Sequence, residues 1–325
     1  RIDRAVVWDI PLTTPFRGIT RRDGVLLHGP GGWGEVAPFW DYGSEASAPW
    51  LASGLSQAVG NSVLPRYRET IPVNVTVPEI GAQEAAEVVR ASGARTAKVK
   101  VSGSREQRSA DLARLEAVRS TLGRSGKVRI DVNGAWDLET ARENLPRMDR
   151  AAGGLEYAEQ PCATVYDLAD LRRAVDVPIA ADESIRLSAN PLEIVHRRAA
   201  DVAILKIAPL GGVHRALDMA ERLGLPAVVS SALDTSVGIM AGATLAFSLP
   251  TLSHACGLGT ARLLTRDVAE PSVLPSNGAL RVDDAAPVSE RLLNEAKAGP
   301  YLTKHWQTRL LHLAGALHAR RQREA

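Results

Sequence analysis

Three short apolar segments of this 325-residue chain each end on an acidic residue. They run to Asp131, Glu159 and Asp182, and each leads into a turn or the start of a helix. A strand that ends on a carboxylate and continues through a loop into a helix is one unit of a parallel α/β fold, in which the carboxyl ends of the strands carry the chemistry. If the three strands are neighbours, their carboxylates repel one another unless a cation lies between them. Ligands that are all oxygen favour Mg²⁺, with Mn²⁺ as a substitute.

Lysines occupy comparable positions in two other apolar segments. Lys98 and Lys100 lie two residues apart, so in a strand their side chains point to one face and the apolar residues around them point to the other. In a barrel the apolar face packs against the surrounding helices, so we expect these lysines to point into the barrel. Lys206 ends a later segment in the same way. The second and sixth strands of an eight-stranded barrel lie on opposite sides of its mouth, which predicts lysines facing each other across the carboxylates.

Each of these residues has a simpler explanation when it is taken alone. A single lysine at the end of a strand is usually a solvated charge, and a single aspartate before a turn is usually an N-cap or part of an Asx turn. A set of charged residues ending consecutive strands of one repeat is harder to explain in that way. The pattern therefore favours an enzyme, and a catalytically silent barrel that serves as a binding protein is the alternative.

Strand-like and helical segments alternate from residue 71 to residue 264. Eight such strands in a row favour a closed barrel of the (β/α) type over an open sheet. Residues 1–70 lack this alternation and are predicted to form a small α+β domain, to which the segment from about residue 265 to residue 325 returns. Within the small domain, we predict a β-meander that turns at Arg21–Gly24 and a helix over Ser44–Ser62.

The composition excludes several classes of protein. The net charge of +2 and the 4% aromatic content give no basis for a nucleic-acid partner. Two cysteines, Cys162 and Cys256, provide neither a disulfide framework nor a zinc site and fit a reducing cytoplasm. There is no signal peptide and no apolar run of membrane-spanning length, so export and membrane insertion are not expected. The expected partner is a small-molecule substrate, and the oligomeric state is left open.

Taken together, these segments resemble the enolase superfamily, in particular its muconate-lactonizing-enzyme subgroup. The resemblance covers most of the chain and rests on five motifs, namely Lys98-Val99-Lys100, Asp131-Val132-Asn133-Gly134-Ala135-Trp136, Glu156-Tyr157-Ala158-Glu159-Gln160-Pro161, Asp182-Glu183-Ser184 and Lys206. It implies an α/β fold with a (β/α)7β TIM-type barrel and a smaller α+β capping domain built from both termini. It also implies an active-site lid at the glycine-rich segment Gly29–Gly34 and Mg²⁺ bound by the three carboxylates.

The segments after the seventh and eighth strands distinguish activities within this superfamily. Ser230-Ser231-Ala232 stands where a mandelate-racemase-like enzyme would carry a catalytic histidine, and residues 256–260 lack the acidic pair of a dipeptide epimerase. Together with Lys206–Gly212, these segments resemble a dehydratase that forms an aromatic carboxylate by syn loss of water. Such an enzyme is a carbon–oxygen lyase. An N-acylamino-acid racemase and a muconate-type cycloisomerase use the same lysines and metal, and they stay open as alternatives.

The resemblance to a dehydratase implies a role for each polar residue. Lys100 would remove the α-proton and return it to the leaving hydroxide, Lys98 would lower the pKa of Lys100, and Lys206 would face the ring as a fixed cation. Backbone N–H groups at two glycines would approach a substrate carboxylate, since no side chain blocks them. The implied substrate-binding residues are Asn133, Ser230, Gly257, Leu258, Gly259 and Thr260.

Overall fold

An antiparallel β-meander opens the chain, as the sequence predicts. The computed structural model describes residues 1–60, 64–281 and 286–324. Strands β1 (Arg4–Phe16), β2 (Ile19–Gly29) and β3 (Gly32–Val36) form one sheet, in which β2 lies between the other two. Helix α1 follows at Ser44–Val59 and ends before Gly60, so it is shorter than predicted; positions 61 and 62 of the predicted helix fall outside the described residues.

The first hairpin turns at Arg17 and Gly18, so the turn predicted at Arg21–Gly24 is wrong. Arg17 and Gly18 have φ angles of 51° and 74°, in the left-handed region that tight turns require. Gly24 lies inside β2 and pairs with Trp8 of β1. A Cβ atom on Gly24 would come within 2.9 Å of the Trp8 ring, so this glycine allows close packing of the indole and does not mark a turn.

The glycine-rich segment Gly29–Gly34 forms the tight connection between β2 and β3. The N–H of Gly31 donates to the carbonyl oxygen of Ala58 at 2.8 Å. A Cβ atom on Gly34 would collide with the backbone of Gly54 in α1. The glycines therefore let the helix approach the sheet closely, and the segment is packed against α1.

The second part of the chain forms a curled parallel sheet, which confirms the predicted barrel. A short strand β4 (Ile71–Pro72) precedes it, and seven strands then follow one another in the sheet in chain order. These strands are β5 (Val75–Val77), β6 (Thr96–Lys100), β7 (Lys127–Asp131), β8 (Leu155–Glu159), β9 (Ile179–Ala181), β10 (Val202–Leu205) and β11 (Ala227–Val229).

An eighth segment closes the barrel between the two edges of this sheet. Cys256 forms a β-bridge with Val73 on one side, and Gly257 forms a β-bridge with Ser230 on the other. The N–H of Gly257 donates to Val229 at 2.8 Å. The sequence pattern predicts an eighth strand near residues 252–256, and this segment lies at its end, although it is too short to be a regular strand.

Helices fill the connections between the strands, and several begin at polar N-cap residues. The side chains of Asp137, Thr164 and Thr235 each accept a hydrogen bond from a backbone N–H in the first turn of a helix. The barrel helices are α2 (Ala82–Ser92), α3 (Arg108–Leu122), α4 (Leu138–Ala151), α5 (Val165–Ala174), α6 (Glu183–Arg186), α7 (Glu193–His196), α8 (Ile207–Leu210), α9 (Val213–Leu223) and α10 (Ser236–Ser248).

The C-terminal part of the chain returns to the opening sheet. A 3₁₀ helix (Thr260–Leu263), strand β12 (Ala279–Leu280), paired with β4, and helix α11 (Glu290–Glu295) precede α12 (Pro300–Glu324). In α12, Trp306 is fully buried in one apolar cluster with residues of β1, β2, β3 and α1, and its indole N–H donates to Asp23 at 2.6 Å. The long helix therefore packs on the N-terminal sheet and α1.

Side chains along the barrel strands point alternately outward to the helices and inward to the barrel, as the sequence predicts. Ala97 and Val99 of β6 belong to the apolar layer between strands and helices, and Lys98 and Lys100 point into the barrel. Within the barrel, a small apolar cluster comprises Tyr157, Ala180, Val202, Ile204 and Val228. No helix in the described part of the chain is long and apolar enough to cross a membrane.

Candidate active site

The strand register brings the predicted site residues together at one end of the barrel. Lys100 pairs with Asp131 across β6 and β7, and Asp131 pairs with Glu159 across β7 and β8. Asp182 comes directly after β9, and Lys206 comes directly after β10. Because parallel strands all run in one direction, their carboxyl ends share one edge, and the side chains that end them meet there.

Each carboxylate of this group accepts hydrogen bonds from a lysine. The ammonium of Lys98 donates to Asp131 Oδ2 at 2.9 Å and to both oxygens of Glu159 at 3.1 and 3.2 Å. Lys100 donates to Asp131 Oδ2 at 2.6 Å, and Lys206 donates to Asp182 Oδ2 at 2.5 Å. The three carboxylates are at most 1% exposed, so this pairing supplies the positive charge that buried carboxylates require.

The two lysines of β6 differ in their electrostatic surroundings. Burial alone would lower the pKa of Lys98, but the charges of Asp131 and Glu159 outweigh burial and raise that pKa above its ordinary value. For Lys100, burial lowers the pKa, and the charge of Lys98 lowers it further against the opposing effect of Asp131. Lys98 is therefore a fixed cation, whereas Lys100 is closer to releasing its proton.

The carboxylates also differ in how readily they bind a proton. Burial would raise the pKa of Asp131, but the ammonium groups of Lys100 and Lys98 outweigh burial and lower it. Burial together with the nearby charge of Asp131 raises the pKa of Glu159 to about 7. The pKa of Asp182 is lowered, because the charges of Arg186 and Lys206 outweigh the effect of its burial.

Arg186 is a site residue that the sequence interpretation missed. Its guanidinium donates to Asp182 Oδ1 at 2.9 Å, to Glu183 at 2.7 Å and to the hydroxyl of Tyr42 at 2.6 Å. It therefore connects the carboxylate after β9 with the segment between β3 and α1. The spacing of Asp182 and Arg186, four residues apart at a helix start, is a sequence signal for this ion pair, whereas no local signal identifies Tyr42.

The cavity above the lysines is covered by the first hairpin and not by the predicted glycine-rich lid. The Phe16 ring centroid lies 5.5 Å from Lys100 Nζ, and Arg17 stacks on Phe39 at 4.2 Å from the ring centroid. Gly29–Gly34 is held against α1 instead. The N-terminal part of the chain contributes Phe16, Arg17, Phe39 and Trp50 to the cavity wall.

The predicted substrate contacts fall into two groups. Asn133, Ser230 and Thr260 line the cavity, and Asn133 also accepts a hydrogen bond from Lys100 at 2.5 Å. The N–H of Gly257 is used in barrel closure, so it is not free for a substrate carboxylate. Leu258 is fully buried, with its side chain against Gly242 of α10, and Gly259 lies beside Asn74, Val73 and Pro275.

The carboxylates have the donor chemistry of a magnesium site. They provide hard oxygen ligands at the ends of adjacent strands, and one buried oxygen of the neighbouring Glu183, Oε2, has no hydrogen-bond partner. Within residues 1–60, 64–281 and 286–324, no group of three or more acidic, histidine or cysteine side chains is already arranged around a common metal position. Lysine ammonium groups hold the oxygens instead, which shows that the cluster requires cationic neutralisation. The residues present therefore fit Mg²⁺ in their chemistry and charge.

Comparison with known proteins identifies the class to which this site belongs. Residues 81–287 match the family model described as enolase C-terminal domain-like, and residues 7–58 match the enolase N-terminal domain-like model. A muconate lactonizing enzyme from Pseudomonas fluorescens has the same fold, with a TM-score of 0.77 at 23% identity over 91% of this chain and 98% of the other. A dipeptide epimerase from Enterococcus faecalis, complexed with Mg and a dipeptide, gives a TM-score of 0.74 at 23% identity over 87% and 97%. The chain belongs to the enolase superfamily.

A closer relative narrows this assignment. An o-succinylbenzoate synthase from Thermobifida fusca is 52% identical over 304 residues, which cover 93% of each chain. Within the superfamily, the chain therefore belongs to the family of the o-succinylbenzoate synthases. This confirms both the superfamily and the dehydratase prediction made from the motifs. The muconate lactonizing enzyme and the epimerase are less than 25% identical to the chain and are informative about fold alone.

Proposed function

We propose that the protein is a lyase that dehydrates 2-succinyl-6-hydroxy-2,4-cyclohexadiene-1-carboxylate to o-succinylbenzoate, a step of menaquinone biosynthesis. The family of its 52% identical relative supports the reaction. The observation in the site that carries the proposal is the contact of Lys100 with Asp131 at 2.6 Å, beside a second lysine that stays charged. The reaction requires one base next to a group of carboxylates, and this arrangement supplies it.

We assign Asp131, Glu159 and Asp182 as the ligands of Mg²⁺, with Mn²⁺ as a substitute. When bound, the ion would supply positive charge that stabilises the negative charge developing on the substrate carboxylate as the α-proton leaves. The burial of these carboxylates and their need for cationic partners support the assignment. Lys98 would keep Asp131 and Glu159 aligned through its hydrogen bonds to both.

Lys100 would act first as the base and then as the acid. In its free amine form it removes the proton from the ring carbon next to the carboxylate. The electron pair of that C–H bond forms the new ring double bond, and the bond between carbon and the hydroxyl group breaks. Lys100, now an ammonium, returns the proton to the departing hydroxide, which leaves as water. Since one group serves both steps, hydrogen and hydroxyl leave from the same face of the ring.

Lys206 would serve as a fixed cation on the other side of the substrate. It follows β10, whereas Lys100 ends β6, so the two lysines lie on different sides of the barrel mouth. A desolvated ammonium facing the ring contributes about 1–2 kcal/mol of cation–π stabilisation. Dehydration requires only one base, so the role of Lys206 is electrostatic.

The same pair of lysines gives an N-acylamino-acid racemase as the second candidate. A racemase moves protons on both faces of the α-carbon, and lysines on two sides of the barrel mouth are able to do so. The identity to a synthase over nearly the whole chain favours dehydration. We also expect a cytoplasmic enzyme that acts on a small carboxylate and has neither a nucleic-acid nor a membrane partner, an expectation that rests on its net charge of only +2 and its two cysteines.

A direct assay tests the proposal. Purified protein is incubated with the cyclohexadiene substrate and Mg²⁺, and formation of o-succinylbenzoate is followed by liquid chromatography. Lys100→Arg is the matched control, since arginine keeps the positive charge but does not act as a base near neutral pH. Product formation by wild type and not by the variant is the expected result. Equal product formation by both would remove Lys100 from the mechanism, and none with wild type would end the proposed reaction.

A further inference from the structure

The loop after β11 forms part of the cavity wall beside Lys206. It runs over Ser230–Thr235, and Ser230, Ser231, Ala232 and Leu233 line the cavity. Leu233 has a φ angle of 63°, in the left-handed region that a branched side chain rarely adopts. Such a conformation persists only when surrounding contacts hold it, and it is common where a site depends on the position of a loop. We call this segment the Ser230–Thr235 loop.

Glu35 of β3 holds one end of the Ser230–Thr235 loop. Its carboxylate accepts hydrogen bonds from the N–H of Thr235 at 3.2 Å, from the hydroxyl of Thr235 at 2.5 Å and from the N–H of Gly238 at 3.0 Å. The side chain is buried and comes from the N-terminal sheet, 200 residues away in sequence from Thr235. One carboxylate thus satisfies three donors at the start of α10.

Arg22 of β2 holds the middle of the same loop. Its guanidinium donates to the carbonyl oxygen of Leu233 at 3.2 Å and to that of Ala232 at 3.3 Å, and it also bonds to the carbonyl of Ala37. It lies over the Phe39 ring at 4.1 Å from the centroid. Arg22 is almost fully buried, so these carbonyls replace the water that the charge would otherwise require.

Glu35 and Arg22 hold the second half of the loop, whereas Ser231 in the first half is held by hydrogen bonds to Gly257 and Thr260. A small cavity lies between Glu35 and the loop and is also bounded by Lys206, Asp234 and Gly238. Neither Glu35 nor Arg22 lines the cavity that contains Lys100 and Asp131. Loss of their hydrogen bonds would therefore let the loop shift without a direct change at Lys100 or Asp131.

We propose that Glu35 and Arg22 are positioning residues through which the N-terminal sheet sets the fit of the Ser230–Thr235 loop around the substrate. The proposal rests on the proposed function in that the substrate occupies the cavity beside Lys206. It predicts that these residues act on substrate binding and not on metal binding or proton transfer. A purely structural role would lower stability without a selective change in KM.

Asp267 provides a matched control at the same helix. It is also buried, and it accepts hydrogen bonds from the N–H and hydroxyl of Ser236, the residue after Thr235. It belongs to the C-terminal part of the chain, and its hydrogen bonds go to Ser236 of α10 and to the N–H of Val268. Glu35→Gln and Asp267→Asn therefore both replace a carboxylate by an amide at the start of α10. Only Glu35 bonds to Thr235 of the Ser230–Thr235 loop, whereas Asp267 bonds to Ser236 of the helix.

The experiment measures kcat, KM, the Mg²⁺ concentration for half-maximal activity and the melting temperature of each variant. We expect Glu35→Ala to raise KM by about tenfold, the effect of losing about 1.4 kcal/mol of binding free energy, with a smaller change in kcat. Glu35→Gln keeps one acceptor oxygen and should raise KM less. The Mg²⁺ requirement should stay unchanged, and Asp267→Asn should lower the melting temperature while its KM stays within about twofold of wild type.

Variants on the loop side test the same contact if Glu35→Ala does not fold. Thr235→Val removes the hydroxyl that donates to Glu35, whereas Thr235→Ser keeps it, so KM should rise in the first and stay near wild type in the second. The proposal is overturned if Thr235→Val and Glu35→Gln bind substrate as wild type does, or if Asp267→Asn raises KM equally. Absence of turnover by wild type would instead refute the proposed function.

Discussion

Lys98 and Lys100 share one face of β6, yet their surroundings move their pKa values in opposite directions. Lys98 contacts Asp131 and Glu159, whose charges outweigh its burial and raise its pKa. Lys100 is buried next to the Lys98 charge, and its pKa is lowered. One Lys-x-Lys strand thus provides both a fixed cation and a group suited to act as a base.

Lys100→Ala should lose at least about 10²–10⁴ in kcat, the usual contribution of a general base. The fold and the Mg²⁺ requirement should persist, because Lys98 still neutralises Asp131 and Glu159. Steady-state kinetics and circular dichroism measure the two properties. Near-normal turnover by a folded Lys100→Ala protein would place the base elsewhere.

Lys206→Arg should retain more activity than Lys206→Ala. Arginine keeps the positive charge beside the substrate but does not titrate near neutral pH, and the dehydratase mechanism requires only the charge of Lys206. The comparison uses kcat/KM of both variants at saturating Mg²⁺. Equal inactivity of the two, with both folded, would indicate that Lys206 transfers a proton.

Removal of divalent metal should abolish turnover. The three assigned ligands are buried carboxylates with no histidine or cysteine among them, so Mg²⁺ and Mn²⁺ should both restore activity. Activity is measured after exhaustive chelation and again after each metal is added. Full activity in the chelated protein would contradict the three-ligand assignment.

Glu35→Gln should change how stability depends on pH. Burial, with the nearby charge of Asp234, raises the pKa of Glu35 from 4.5 to about 8, against hydrogen bonds from Thr235 and the charge of Arg22. A raised pKa means that the folded state binds the extra proton, so this contribution to stability is present below pH 4.5 and is lost as the pH rises to about 8.

Glutamine does not titrate, so the stability of wild type relative to Glu35→Gln should fall between pH 5 and pH 9. Urea unfolding at a series of pH values within this range measures the difference in free energy of unfolding. A difference that stays constant or grows with pH would show that Glu35 is ionised throughout.

The main site was predictable because its signals are local. Alternation with a period of two placed Lys98 and Lys100 inside the barrel, and carboxylates at the ends of strands placed Asp131, Glu159 and Asp182 at its mouth. Neither inference requires knowledge of distant contacts, since the strand repeat fixes where each strand end lies.

The parts that sequence reasoning missed depend on distant contacts. Tyr42 and Arg186 are 144 residues apart, and no local pattern brings them together. The Asp-Gly pair at positions 23 and 24 is a strong local turn signal, but the fit of Gly24 against Trp8 decides its place within β2. The glycines of Gly29–Gly34 were likewise interpreted as a lid, although packing on α1 explains them.

The most direct test of the dehydratase assignment compares two reactions of one wild-type preparation. The value of kcat/KM for dehydration of the cyclohexadiene substrate is measured beside that for racemisation of single enantiomers of N-succinyl amino acids in D₂O. If the protein is a dehydratase, dehydration should have the higher kcat/KM. Racemisation with the higher kcat/KM would contradict the assignment of a dehydratase, even if the fold, the carboxylates and the lysines are all placed as described.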